Sequence, residues 1–255
     1  MKLAGKLIIL ALCSFACAYS VAQVSRHASG LEKYVRPGNA ADAPSPYTYA
    51  PDGNGYLALS EDKRTIDRYD IATGNKIECL FDIANTRETT IGYVEGFEIS
   101  ENGRYILVYN ESKPIYRRTF TASYYAYEVR TRLLRPLSKQ FKRQQAPLIS
   151  PDGRMIAFVA ENNIYIKKLD YDSEVQVTKD GEKDKVINGV PDWVYEEEFS
   201  TTMSMTWAPD NLTLSYLKYD ESEVPFYTLP LYQGTCTPMN QYALYPGEYT
   251  YKYPV

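Results

Sequence analysis

The residues best equipped for chemistry lie together in Asp192-Trp193-Val194-Tyr195-Glu196-Glu197-Glu198-Phe199, where three consecutive carboxylates stand among aromatic side chains. Such a trio has four readings. It can be a solvated face at a helix start, where carboxylates suit the positive end of the helix dipole. Two of the acids can serve as general acid and base, as in glycoside hydrolysis, although neighbours on a helix point about 100° apart and face each other poorly across a bond. They can converge on one cation: a primary ammonium has three donors and one charge, and two carboxylates would hold it by charge-assisted hydrogen bonds. A metal is the fourth reading, for which further ligands at nearby spacing are wanting. Upstream, Lys113-Pro114-Ile115-Tyr116-Arg117-Arg118-Thr119-Phe120 is a long, basic, aromatic connection. Arg117 and Arg118 are either surface charge or a fork of donors for a peptide carbonyl or carboxylate. A pair of Glu near an Arg on one face would recognise an extended peptide by its amino terminus.

The elements that must position these groups read as β-sheet. Ala50-Pro51-Asp52-Gly53 recurs as Ser100-Glu101-Asn102-Gly103, Ser150-Pro151-Asp152-Gly153 and Ala208-Pro209-Asp210-Asn211, at steps of 50, 50 and 58 residues. Pro presets φ, Asp bonds its own backbone, and Gly or Asn accepts positive φ, so each is a tight turn. Short strand patterns flank them, such as Arg154–Val159, Ile164–Leu169 and Glu174–Thr178 in the third repeat. The second has Tyr105–Tyr109 and Tyr124–Val129, and the fourth has Met203–Trp207 and Leu212–Leu217. A period near 50 with a fixed turn predicts an all-β fold of propeller blades, each of four antiparallel strands, with about four blades of an incomplete larger propeller over residues 47–255. The last step is longer by about the length of the acidic segment. Asp192 after Pro191 can cap a helix, so a short acidic helix is expected as an insertion between the third and fourth repeats.

Composition narrows the function classes. With 25 Tyr against 8 Phe the chain favours half-exposed sheet faces. A pI near 5.3 gives no basic face for nucleic acid. Lys2 and Lys6, the apolar run Leu7–Ala18 and the small residues Ser20-Val21-Ala22 read as a signal peptide over 1–22, cleaved before Gln23, with a polar lead-in over 23–46. The protein is therefore expected in the periplasm or outside the cell. Cys13 and Cys17 would leave with the signal. Cys79 and Cys236 lie in different repeats and read as separate thiols, and with a single His they do not make a zinc site. No metal and no cofactor are called for.

Asn188-Gly189-Val190-Pro191-Asp192-Trp193-Val194-Tyr195-Glu196-Glu197-Glu198 resembles the double-Glu motif of the dipeptidyl peptidase IV family of serine peptidases, and Tyr116–Tyr124 resembles that family's substrate-arginine segment. Trp207-Ala208-Pro209-Asp210, Asp220–Pro225 and Lys252-Tyr253-Pro254 follow its pattern too. The resemblance implies that Glu197 and Glu198 bind a substrate's free α-amine and so measure two residues to the scissile bond. It implies that Arg117 holds the intervening carbonyl, with Asp192, Trp193 and Tyr195 supporting the acidic turn. The activity implied is release of amino-terminal dipeptides with Pro or Ala second, and the partners implied are a peptide with a free amino terminus and, for the full-length enzyme, a second copy of itself. The family's nucleophile, Asp and His stand on an α/β-hydrolase domain after the propeller. This sequence has no Gly-x-Ser-x-Gly, and its one His is His27, so it cannot assemble that triad. Four repeats against the family's roughly eight blades read as a truncated chain, inactive by itself. The alternative is a non-catalytic module that binds peptide amino termini or serves as an interaction scaffold.

Overall fold

A computed structural model describes residues 47–230 and 248–252, all within one unit, Ser45–Val255. The signal peptide and lead-in expected over 1–46, and Cys236, lie outside the described residues. β1 (Tyr47–Tyr49), β2 (Gly55–Leu59), β3 (Thr65–Asp70) and β4 (Lys76–Asp82) form an antiparallel meander in that order. β5 (Arg87–Glu88), β6 (Gly96–Ile99), β7 (Tyr105–Pro114), β8 (Phe120–Glu128) and β9 (Leu133–Pro136) form a five-stranded sheet in the order β5-β9-β8-β7-β6, with β5 parallel to β9. β10 (Gln145–Ile149), β11 (Met155–Ala160), β12 (Asn163–Lys168) and β13 (Ser173–Gln176) make a second four-stranded meander. Then come β14 (Val186–Asn188), the helix α1 (Trp193–Phe199), β15 (Met205–Trp207), β16 (Leu214–Tyr216), β17 (Lys218–Asp220), β18 (Phe226–Pro230) and β19 (Glu248–Lys252).

The four repeated turns are one structure used four times. In each, the fourth residue donates its N–H to the carbonyl of the first: Gly53 to Ala50, Gly103 to Ser100, Gly153 to Ser150 and Asn211 to Ala208, at 2.8–3.0 Å. The donor has φ of 72, 68, 67 and 62° in turn, the left-handed region that Gly enters freely and Asn tolerates. The turns also link neighbouring sheets. Asn102 Nδ2 donates to the Asp152 carbonyl at 2.7 Å, and the Asp152 N–H donates to Asn211 Oδ1 at 2.8 Å.

Alternation along the strands shows where the core sits. Ile106 and Val108 pack with Leu57, Ile66 and Phe81 of the first sheet, while their neighbours Tyr105 and Leu107 pack with Ile156 and Phe158 of the third. Ala157 and Val159, on the opposite face of β11, pack with Ile187, Met205 and Trp207. The middle sheets therefore bury both faces, and each apolar layer is shared by consecutive repeats.

The expected propeller of equivalent four-stranded blades is not what these strands form. Among the described residues no sheet closes on itself, and the repeats are unequal: one gives five strands including a parallel pair, and the fourth gives the two-stranded pairs β15–β16 and β14–β17, with β18–β19 a separate pair. The physical reason lies in the fourth repeat. With α1 inserted between β14 and β15, the chain changes partners after Tyr216, so β17 adds to β14 rather than extending the β15–β16 pair. The strands are also shorter there than the pattern Met203–Trp207 and Leu212–Leu217 suggested. In the second repeat the opposite occurs, and Lys113–Phe120 continues the β7–β8 hairpin instead of forming an irregular connection.

These turns allow a graded test. Gly53→Ala should cost about 1–2 kcal/mol from backbone strain alone, because a Cβ there meets nothing within 4 Å. Gly153→Ala should cost more, since its Cβ would fall 2.6 Å from Asn102 Nδ2 and displace the bond between sheets. Urea unfolding of both variants checks the order.

Candidate functional site

α1 begins where the sequence places it. Asp192, in extended backbone, accepts from the Tyr195 N–H at 2.8 Å and caps the helix, and the helix ends at Ser200 with φ 55°. Seven residues are too few for a helix to hold by propensity, so α1 depends on what it packs against. Tyr195 lies against Phe199 with ring centroids 5.3 Å apart and meets Tyr219 edge-on at 5.0 Å. The Tyr219 hydroxyl is within 2.8 Å of Ser204 Oγ. Trp193 is half-buried.

Rotation along the helix separates the three carboxylates into three environments. Glu196 is 0% exposed and turns toward the hairpin tip. It accepts from the Arg118 N–H at 2.6 Å, the Thr119 N–H at 3.1 Å and Thr119 Oγ1 at 2.5 Å. The Arg118 guanidinium donates in return to the Glu196 carbonyl at 3.1 Å. Glu197 stands to the side, its side chain 15% exposed, with Oε2 3.3 Å from Nη2 of Arg117, which is 70% exposed. Glu198 is exposed and makes no ion pair among the described residues.

The hairpin that presents Arg117 is braced along its length. The register of β7 against β8 shifts between Asn110 and Lys113, and Glu111 enters the left-handed region at φ 51°. There its carboxylate takes Lys142 at 3.0 Å, and its carbonyl takes the Arg143 guanidinium. Lys142, and Ser123 beside it, hold the Glu111 carboxyl below its usual range. The Ser112 N–H donates to Glu95 at 3.1 Å. The tip closes through the Ile115 N–H and the Thr119 carbonyl at 2.8 Å.

The structure thus pairs Arg117 with Glu197 and leaves Glu198 exposed on the same helix, which Asp192 caps, Trp193 opens half-buried and Tyr195 packs against Tyr219. It also assigns a role that sequence reasoning missed: Glu196 is the anchor that fixes helix to hairpin. Its partners lie 77 and 78 residues away, so no local pattern could have distinguished it from its two neighbours. Cys79 is a free, exposed thiol. Among the described residues no three His, Cys, Asp or Glu side chains converge as a metal site requires.

The chain is similar to known proteins. The model of the dipeptidyl peptidase IV (DPP IV) N-terminal region matches residues 100–255. A probable dipeptidyl-aminopeptidase B of Talaromyces marneffei is 37% identical over 155 residues, 58% of this chain and 17% of that protein. The prolyl endopeptidase FAP of Homo sapiens is 29% identical over 181 residues, 68% of this chain and 22% of its own. Among solved structures, Porphyromonas gingivalis dipeptidyl peptidase 4 superposes with a TM-score of 0.74 at 43% identity, covering 83% of this chain and 29% of that one. The matched stretch is about a fifth of the curated relatives' length. With the family model covering more than half of its length, including both the acidic helix and the arginine hairpin, this chain belongs to the dipeptidyl peptidase IV family, in its N-terminal region.

Proposed function

We propose that this chain is the substrate-recognition region of an exported serine dipeptidyl peptidase and that α1 and the β7–β8 tip form its clamp for a peptide amino terminus. The observation that carries this reading is the separation of roles within the carboxylate trio. Glu196 is buried and fully engaged, leaving Glu197 and Glu198 adjacent, partly open and next to a guanidinium. Two carboxylates suit an α-ammonium, and a fork of N–H donors beside them suits the carbonyl oxygen that follows it in every peptide. The Arg117–Glu197 pair is weak enough to yield: an ion pair with one partner mostly in solvent contributes about 0–1 kcal/mol. A charge-assisted bond to a bound ammonium is stronger, about 1.5–3 kcal/mol. A ligand can therefore displace Arg117 from Glu197 and redirect it to the carbonyl with little penalty.

The chemical step is assigned to residues outside this sequence, which has neither a Gly-x-Ser-x-Gly nucleophile turn nor a His beyond His27. On this reading the chain alone binds peptides and cleaves none. In the complete enzyme, holding the amine at Glu197 and Glu198 would fix the bond to be cut at two residues from the terminus.

Two measurements test the clamp. In titrations of the purified chain with a Gly-Pro-containing peptide, Glu197→Gln with Glu198→Gln should weaken binding about a hundred-fold or more, equivalent to losing two charge-assisted bonds. Arg117→Ala should weaken it about ten-fold, and an N-acetylated peptide should bind no better to wild type than to the double variant. Equal affinity in all cases would remove the proposal. Separately, Glu196→Ala should lower stability by about 3–5 kcal/mol, because it leaves buried donors of Arg118 and Thr119 unpaired. Urea unfolding reads this, and Glu196→Gln should recover part of the loss.

A further inference from the structure

A cavity of about 250 Å³ lies beside the clamp and uses none of its proposed ligand-binding residues. Its walls come from β6, β7, β8 and β10 and from Thr202 and Met203, just past α1. Four rings line it, those of Phe97, Tyr109, Phe120 and Tyr124, and Tyr109 stands 5.3 Å from Phe120 and 5.3 Å from Tyr124, centroid to centroid. Glu98 is the one carboxylate in the lining and makes no ion pair among the described residues. Its side chain is exposed, and desolvation is the cause that holds its carboxyl above the usual range. Arg118 is also in the lining, but its guanidinium is drawn to the Glu196 carbonyl.

The backbone is distorted to make this wall. The register of β10 against β11 slips between Gln145 and Leu148, and Ala146 is held in the left-handed region at φ 47°. A residue with a Cβ pays about 1–2 kcal/mol for that conformation, and such strain and bulges concentrate where a chain is shaped for a ligand. Gln145, Ala146 and Pro147 all line the cavity.

We propose that this cavity is a cation pocket that takes the guanidinium or alkyl-ammonium end of a basic side chain or a small amine. A neutral guest would strip more water from Glu98 without compensating its charge. A cation would give the carboxylate the partner it lacks and lie against the faces of Tyr109, Phe120 and Tyr124, where the ring quadrupoles attract it. Its methylene stem would pack on Phe97 and Leu107.

The test compares butylguanidinium with N-butylurea, which has the same shape and no charge, by calorimetric titration of the purified chain. Butylguanidinium should bind at least ten-fold more tightly, and Glu98→Gln should abolish the difference while leaving the melting temperature in place. Tyr109→Leu should weaken the cation roughly three-fold or more through the lost ring. Equal binding of the two probes, absence of binding, or a preference that survives Glu98→Gln would overturn the proposal. So would a preference that disappears in the Glu197→Gln, Glu198→Gln pair, which would put the cation at the clamp instead. Peptides that carry Lys or norleucine at one position identify the source: a gain for Lys that requires Glu98 indicates a peptide side chain, and a gain confined to the free probe indicates a small amine.

Discussion

The candidate site depends on one buried carboxylate. Glu196 receives three hydrogen bonds from Arg118 and Thr119, which approach it from a hairpin 77 and 78 residues earlier in the chain. An ionised carboxylate without partners inside a protein is prohibitively unfavourable, so the helix can dock with Glu196 inside only when the hairpin tip supplies its N–H groups. The converse also holds. Those N–H groups sit in a reversing tip whose internal closure, from the N–H groups of Ile115 and Tyr116 to the Thr119 carbonyl, does not use them, and they need an acceptor. Helix and hairpin therefore order each other. Because consecutive helix residues point in different directions, fixing Glu196 also fixes the bearings of Glu197 and Glu198.

That arrangement rests on the sheets behind it. The second and third sheets each bury both faces, with Ile106 and Val108 on one side and Tyr105 and Leu107 on the other, then Ile156 and Phe158 against Ala157 and Val159. A strand buried on both sides cannot slip its register by one residue without exchanging one full layer for another. β7 and β8 are thus held rigidly where they leave the sheet, and the bulge at Glu111, pinned by Lys142 and Arg143, sets the direction in which the hairpin continues. The long lever that carries Arg117 is stiff at its root and anchored at its tip.

How much of this was legible in the sequence follows from the range of the interactions. The four turns were legible because turn chemistry, with Asp or Asn in third place and Gly or Asn in fourth, acts within four residues, and each forms the same bond in the structure. The helix was legible because Asp192 caps it locally. The sheet arrangement was not. A period of about 50 residues counts repeats but does not say which strands pair, and here β17 joins β14 across α1 while β5 joins β9 in parallel. The propeller expected from the period therefore failed at the level of pairing and not of strand content. Glu196 escaped for a related reason: its sequence neighbours are also Glu, and the difference among the three is made entirely by residues from another repeat.

The division among the three acids also explains how one short helix can be both rigid and exchangeable. If all three carboxylates were free, their mutual repulsion in the first turns would favour unwinding despite the helix dipole. If all three were buried and bonded, nothing would remain for a ligand. Burying Glu196 supplies the rigidity. The exposure of Arg117 keeps its pair with Glu197 weak, since water competes for both charges. A site built this way holds opposite charges in place before a ligand arrives, so little ordering remains to be done on binding. On the proposed reading, an arriving ammonium would replace a marginal ion pair, while the anchor next to it, out of reach of solvent, would not change.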